Sequence, residues 1–235
     1  MNELSSVVPA RFLFRCEFPV ARAEGRPRRR GSRPLNFDDR FLLPNLAALD
    51  GGPQFAELRV GWNPDGIGFS VLISGKQSAP RCDFEKPSAS DGLQLWIDTR
   101  NTQTVHRATR YCHYFCLLPC GGPDPSAAVG VQLPVARARE DAPLCEPDDL
   151  LVASEADSDG YRLEAWLPQS VLHGFDPVDQ PRLGFCYRVL DAELGSQTLS
   201  VEGDYPFASD PSLWSTLLLT DDPRDADSKT ADVSA

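Results

Sequence analysis

Two short segments of the 235-residue chain set an indole among hydrogen-bonding groups at every second position. In the first, Gln94, Trp96 and Asp98 alternate with Leu93, Leu95 and Ile97, and Arg100 follows. In the second, Arg162, Glu164 and Trp166 alternate with Tyr161, Leu163, Ala165 and Leu167. Positions two apart on a strand share a face. Each segment would therefore present a flat apolar ring beside a carboxylate and an amide or guanidinium, which is recognition chemistry. An indole matches the C–H face of a pyranose, and the polar neighbours bond its hydroxyls. Gln94, Trp96, Asp98, Arg100, Arg162, Glu164 and Trp166 are the candidate ligand-binding residues. The competing role for each indole is to cover its own sheet beneath a loop, with the 121–149 loop as the cover for Trp96. If neither indole is a platform, the loops around 121–149 and 202–212 are the next candidates. Trp62 falls on an apolar face and Trp214 opens the last strand after Asp210-Pro211-Ser212, so both are expected to be structural.

Catalytic chemistry has less to stand on. Asp98, Glu164 and Asp191 could approach as paired acids of the kind that hydrolyse a glycoside. The chain has no G-x-S-x-G, H-E-x-x-H, P-loop or dinucleotide fingerprint. The run VHRATRYCHYFCLLPC gathers His106, His113, Cys112, Cys116 and Cys120. Thiols four residues apart on a strand lie roughly 13 Å from one another, too far to share a metal, and no C-x-x-C pair occurs. The reading is a non-enzyme with no assigned metal ligands.

The elements that must carry these residues are strands. Ala56, Leu58, Val60 and Trp62 alternate with polar or small neighbours, as do Ile67, Phe69, Val71 and Ile73, around the turn Asn63-Pro64-Asp65-Gly66. Phe12, Phe14, Cys16 and Phe18 alternate near the N-terminus, and Leu183, Phe185, Tyr187 and Val189 late in the chain. Residues 111–118 are apolar or aromatic on both faces, the mark of a central strand covered on both sides. The residues 197–201 and the stretch from Trp214 to Thr220 complete the set. Helix signals are confined to a turn or two near 39–49 and one near 169–173. The expectation is an all-β, antiparallel, jelly-roll-like sandwich of about eight to ten strands. Ile67, Phe69, Val71, Leu93, Leu95, Ile97, Leu163, Phe185 and Val189 should lie in its core.

Residues 1–220 read as one domain, with a basic, proline-interrupted loop over 22–34 (RPRRRGSRP) and an acidic tail over 221–235 that should not pack. A net charge of −11 gives little drive toward phosphate backbones, so nucleic acid is not an expected partner. No apolar run is long enough to span a membrane. Seven cysteines, an odd number, and a leading MNELSSVVPARFLF without a signal-type apolar stretch suggest free thiols and a cytoplasmic location.

The order WNPDGIGFSV, SDGLQLWIDTR, DGYRLEAWLP, RLGFCYRVLD and DPSLWSTLLL resembles the family 9 carbohydrate-binding modules and the DOMON-like sandwiches related to them. Residues 91–98 resemble the family strand that alternates acids with apolar residues, with Gln94 in place of the usual acid, and residues 160–168 match a second family segment. The resemblance covers about residues 10–220 and looks most like stand-alone bacterial members. It implies a jelly-roll sandwich, often with a structural calcium, and carbohydrate as the expected partner. A protein-interaction or scaffold domain that kept the fold without the ligand is the alternative, and a glycosidase-like enzyme comes last. DOMON relatives include haem proteins with methionine and histidine ligands, but the only methionine here is Met1.

Overall fold

A computed structural model describes residues 16–24, 35–46, 51–199 and 205–221. Phe12, Phe14, most of the basic loop, residues 202–204 and nearly all of the 221–235 tail lie outside the described residues. Within them the protein is a sandwich of eleven strands with only three-residue 3-10 turns as helix.

One sheet has seven strands: β1 (Glu17–Ala21), β4 (Gly92–Asp98), β5 (Cys112–Leu118), β6 (Val129–Leu133), β9 (Arg182–Asp191), β10 (Gly195–Thr198) and β11 (Ser215–Thr220). Its order is β1-β11-β9-β4-β5-β6, with β10 beside the far half of β9. The other sheet has four strands, in the order β2 (Ala56–Asn63), β3 (Gly66–Ser74), β8 (Gly160–Pro168) and β7 (Leu151–Ala156). The β2–β3 hairpin turns at Pro64-Asp65, where Asn63 accepts the Asp65 N–H at 2.8 Å. Among the described strands every pair is antiparallel except β1 and β11, which run parallel, and an isolated parallel bridge joins Arg22 to Trp62. The indole of Trp62 fastens that parallel edge, donating to the Val20 and Thr220 carbonyls at 3.0 and 3.1 Å.

The inner faces meet as the alternation requires. Ile67, Phe69, Val71, Leu93, Leu95, Ile97, Leu163, Phe185 and Val189 are all buried in one continuous core. At about 25 cal/mol per Å² of apolar area, such a core is the dominant stabilising term. A further layer covers the outer face, as the two-sided apolar pattern of residues 111–118 requires. Loops lie across the outer face of the seven-stranded sheet and enclose a second apolar cluster of Trp96, Cys112, Tyr114, Cys116, Leu118, Val135, Cys186, Phe207 and Trp214. Burial on both faces explains why β5 is apolar or aromatic throughout. Trp214 closes this layer by donating to the Phe207 carbonyl at 2.7 Å.

At the end of the inner face, His113 is fully buried. The Gln132 amide donates to its Nδ1 at 3.2 Å, which makes Nε2 the protonated nitrogen, 3.3 Å from the His173 carbonyl. Burial pulls its pKa down to about 4. The unfolded chain takes up a proton near pH 6.5 that the folded protein refuses, so this residue costs stability as pH falls from about 6.5 to about 4. The loss should approach about 3 kcal/mol. Denaturant unfolding at pH 7 and pH 4 should therefore show a steeper fall for the parent than for His113→Gln. Equal falls would contradict this assignment.

Candidate functional site

The seven sequence candidates do not converge. Trp96, on β4, is 1% exposed, with Tyr114 stacked on one face at 4.6 Å and the Phe207 ring edge-on at 5.4 Å. Its cover draws on the loop before β11, which supplies Phe207, and the 121–149 segment adds Val135 to the same cluster. Gln94 is buried beside it, donating to the Ser88 carbonyl at 2.9 Å and accepting from Tyr114 and from both Nε and Nη2 of Arg188. Asp98 is buried at the end of β4 and accepts the Arg100 and Thr102 backbone N–H groups at 2.9 and 2.6 Å. Burial raises its pKa against those hydrogen bonds. It is a turn-forming carboxylate. Arg100 is exposed and lies over the Tyr111 ring at 4.9 Å. The polar face expected on β4 is thus interior, and Trp96 has no ring face left for a sugar.

Trp166 is also covered, at 3% exposure. It packs with Leu35, Phe37 and Phe41 over the paired glycines Gly61 and Gly68. A Cβ on Gly68 would lie 2.9 to 3.0 Å from Trp166, Leu35 and Phe37, so the flat strip these glycines leave is filled by the chain's own rings. The 35–46 segment, which gave no strand signal, supplies that cover.

Arg162 and Glu164 fare differently. They point outward from β8 into a cleft of about 790 Å³ at the free edge of β7. Asp124, Ser126, Asp148, Ser154 and Glu155 complete its polar lining among the described residues. The space exists because the residues that could fill it are small: Ala153 sits opposite Glu164 in the β7–β8 register, and Ala127 and Ala128 form the facing wall. Glu155 pairs with Arg162 across the same two strands. Glu164 is itself buried and accepts from the Leu35 N–H at 3.4 Å and Ser70 Oγ at 3.5 Å, which fixes its carboxylate. Ser126 donates its N–H and hydroxyl to Asp124 and lowers that carboxyl's pKa. The wall residues belong to the 121–149 loop, the second choice in the sequence. Its acids carried no periodic signal that would have marked them.

Other chemical groupings resolve into structure. Asp98 and Asp191 stand at opposite ends of β4, roughly 20 Å apart by strand rise, and Glu164 is on the other sheet, so the three acids form no hydrolytic pair. His106, Asp210 and Ser212 meet at the surface, but Asp210 and Ser212 both reach the same Nδ1 at 3.1 Å. A triad needs acid and nucleophile on opposite ring nitrogens. Here Asp210 caps the 211–213 turn. Cys112 and Cys116 share the buried outer face of β5, while Cys120 lies past the strand's end. Burial pushes the thiols of Cys112 and Cys116 up to about 12 and about 11.

The structural calcium that the resemblance implies has no carboxylate cluster among the described residues. Among the described residues no group of three or more His, Cys, Asp or Glu side chains could hold a metal ion. The buried carboxylates of Asp91 and Asp191 are instead bridged by Lys76 Nζ, at 3.3 and 2.8 Å, with Glu193 at 3.9 Å. Burial alone would lower the Lys76 pKa, but the Asp191 hydrogen bond and the two nearby charges outweigh that and leave it raised.

The two sheets and the covering loops define the chain as a β-sandwich with the fold of the family 9 carbohydrate-binding modules. One such module from Caldicellulosiruptor kristjanssonii, solved with cellotriose, superposes with a TM-score of 0.58 at 13% identity, covering 87% of this chain and 94% of that one. A structure of a family 9 module from the same organism with glucose gives 0.56 at 12% identity, over 87% and 96%. A Bacteroides uniformis protein provisionally described as carbohydrate-binding gives 0.50 at 10% identity, over 87% and 99%. No family model and no curated protein sequence matches the chain.

Proposed function

We propose that this protein is a non-catalytic binding module that takes a polyhydroxylated ligand, foremost a carbohydrate, in the cleft at the β7 edge. The observation that carries the reading is the cleft itself. It gathers Arg162 and Glu164 with Asp124, Asp148 and Glu155 in a volume within the roughly 300–1,000 Å³ of small-molecule sites. The fold it sits on is one whose solved examples hold cellotriose and glucose. Carboxylates accept from sugar hydroxyls and the guanidinium donates to them. Among the described residues no aromatic side chain lines the cleft, so the reading includes no stacking contribution. Binding then rests on hydrogen bonds worth about 1 kcal/mol each, which places dissociation constants near the millimolar end.

Calorimetric titration with glucose, cellotriose and a panel of mono- and oligosaccharides tests this. Arg162→Ala should weaken binding of the best sugar by about tenfold or more, which corresponds to a lost charge-assisted hydrogen bond. Unchanged binding in Arg162→Ala and Glu164→Gln would place the site elsewhere. A parent that binds none of the sugars would favour the second reading, a protein-interaction or scaffold domain. The burial of both Trp96 and Trp166 supports that alternative.

A further inference from the structure

Two of the seven free cysteines, Cys82 and Cys120, lie beside each other in space. Cys82 lies in the loop between β3 and β4, and Cys120 directly after β5. The Cys82 thiol donates to the Asp91 carbonyl at 3.6 Å, and the Cys120 thiol to the Pro80 carbonyl, two residues before Cys82, at 3.7 Å. Gly121 holds a left-handed φ of +88°, and a Cβ there would come within 2.9 Å of the Cys82 Cβ, so the Cys120-Gly121 turn packs directly on Cys82. Both cysteines are half-buried, within reach of a small reagent. Burial, with the Cys120 thiol beside it, pushes Cys82 up to about 12. The neighbouring alternatives are poor: Cys112 and Cys116 stand roughly 13 Å apart along β5, and Cys186 is two strands away from them, roughly 10 Å.

We propose that Cys82 and Cys120 are a reversible dithiol–disulfide pair that locks one wall of the β7-edge cleft. Cys120 leads into Gly121-Gly122-Pro123-Asp124, and Pro123 and Asp124 are wall residues. The turn is already closed by the Gly121 N–H to the Pro125 carbonyl at 2.9 Å. On the other side, Asp91 accepts the Cys82 thiol on its carbonyl and Lys76 on its carboxylate. A bond between the two sulfurs would tie the wall to that buried ion-pair cluster.

The oxidant is a small-molecule disulfide such as oxidised glutathione. The thiolate of one cysteine attacks a glutathione sulfur, forming a mixed disulfide and releasing one glutathione thiolate. The thiolate of the second cysteine attacks the protein sulfur and releases the other. Two electrons leave the cysteine pair and reduce one glutathione disulfide to two thiols, which take up the two thiol protons. Exchange proceeds through thiolates, so the reaction is faster toward pH 8.5 than at neutral pH.

The test uses the full chain without sugar, so its result is independent of what the cleft binds. After incubation with oxidised glutathione at pH 8.5, free thiols are alkylated in denaturant and peptides are mapped by mass. The parent should lose two alkylation sites and yield one cross-linked peptide pair containing Cys82 and Cys120, reversed by dithiothreitol. Closing a loop of about forty residues should raise the melting temperature by roughly 5–15 °C. Hydrogen exchange should slow at 121–127. Cys82→Ser and Cys120→Ser should each give a glutathione adduct and no internal cross-link. If either variant fails to fold, the parent's peptide map decides alone. Seven alkylatable thiols, mixed adducts only, or a cross-link between another pair would overturn the proposal.

Discussion

Replacing Lys76 with methionine is expected to destabilise the protein by about 3–5 kcal/mol. The ammonium is 1% exposed and holds together two carboxylates that are 3% and 0% exposed. Removing it leaves two like charges in a low-dielectric site with no opposite charge to compensate them. Asp91 cannot turn away, because its carboxylate also accepts the Arg81 and Ala192 N–H groups at 2.9 and 2.8 Å. Asp191 is held likewise by the Glu193 and Leu194 N–H groups. The variant should respond to pH in a diagnostic direction. With the pair uncompensated, one carboxyl's pKa rises above its unfolded value, so lowering the pH toward 5 should restore part of the lost stability. Lys76→Met combined with Asp191→Asn should recover part of it at neutral pH. Denaturant unfolding of the three proteins at pH 7.5 and pH 5 gives the comparison. A Lys76→Met protein within about 1 kcal/mol of the parent at pH 7.5 would show that the bridge is not what holds these loops.

Truncating either covered indole should cost nearly as much. Trp96→Ala and Trp166→Ala are each expected to lose about 3–5 kcal/mol, the range for emptying a buried indole site. Trp96→Ala removes the ring stacked on Tyr114 and leaves a cavity beneath Phe207. Trp166→Ala strips the cover from the Gly61–Gly68 strip and loosens the 35–46 segment. A sugar-stacking platform behaves in the opposite way, since its loss costs affinity and leaves folding almost untouched. Urea midpoints and sugar titrations of the two variants therefore separate the roles. A variant that keeps the parent's stability and loses its sugar would reinstate that indole as a platform.

The strands were readable because period-two alternation carries the inner core. Ile67 to Ile73, Leu93 to Ile97 and Leu163 to Leu167 face inward as their spacing demands. Alternation reports only that two faces differ. It does not report whether the second face meets water. Gln94 and Asp98 are polar because they bond Arg188, Tyr114 and turn backbone, inside a layer of loops that have no periodic signature. The parallel pairing of β1 with β11 joins the two ends of the chain, a contact no local pattern encodes. The same holds for the cleft. Arg162 and Glu164 were visible as outward residues of one strand, whereas Asp124, Asp148 and Glu155 reach the site through loop closure and the β7–β8 register. The bridge from Lys76 to Asp91 and Asp191 likewise joins three loops or strand ends that only the tertiary fold brings together.

The most direct measurement of where a ligand binds is hydrogen exchange of the full chain with and without saturating cellotriose. Binding in the cleft predicts slower exchange in residues 123–129 and 151–155 and no change in 94–98, whose strand lies beneath Trp96's loop cover. Protection centred on 94–100 or on 35–41, with the cleft segments unchanged, would contradict the assignment of the site to the β7 edge.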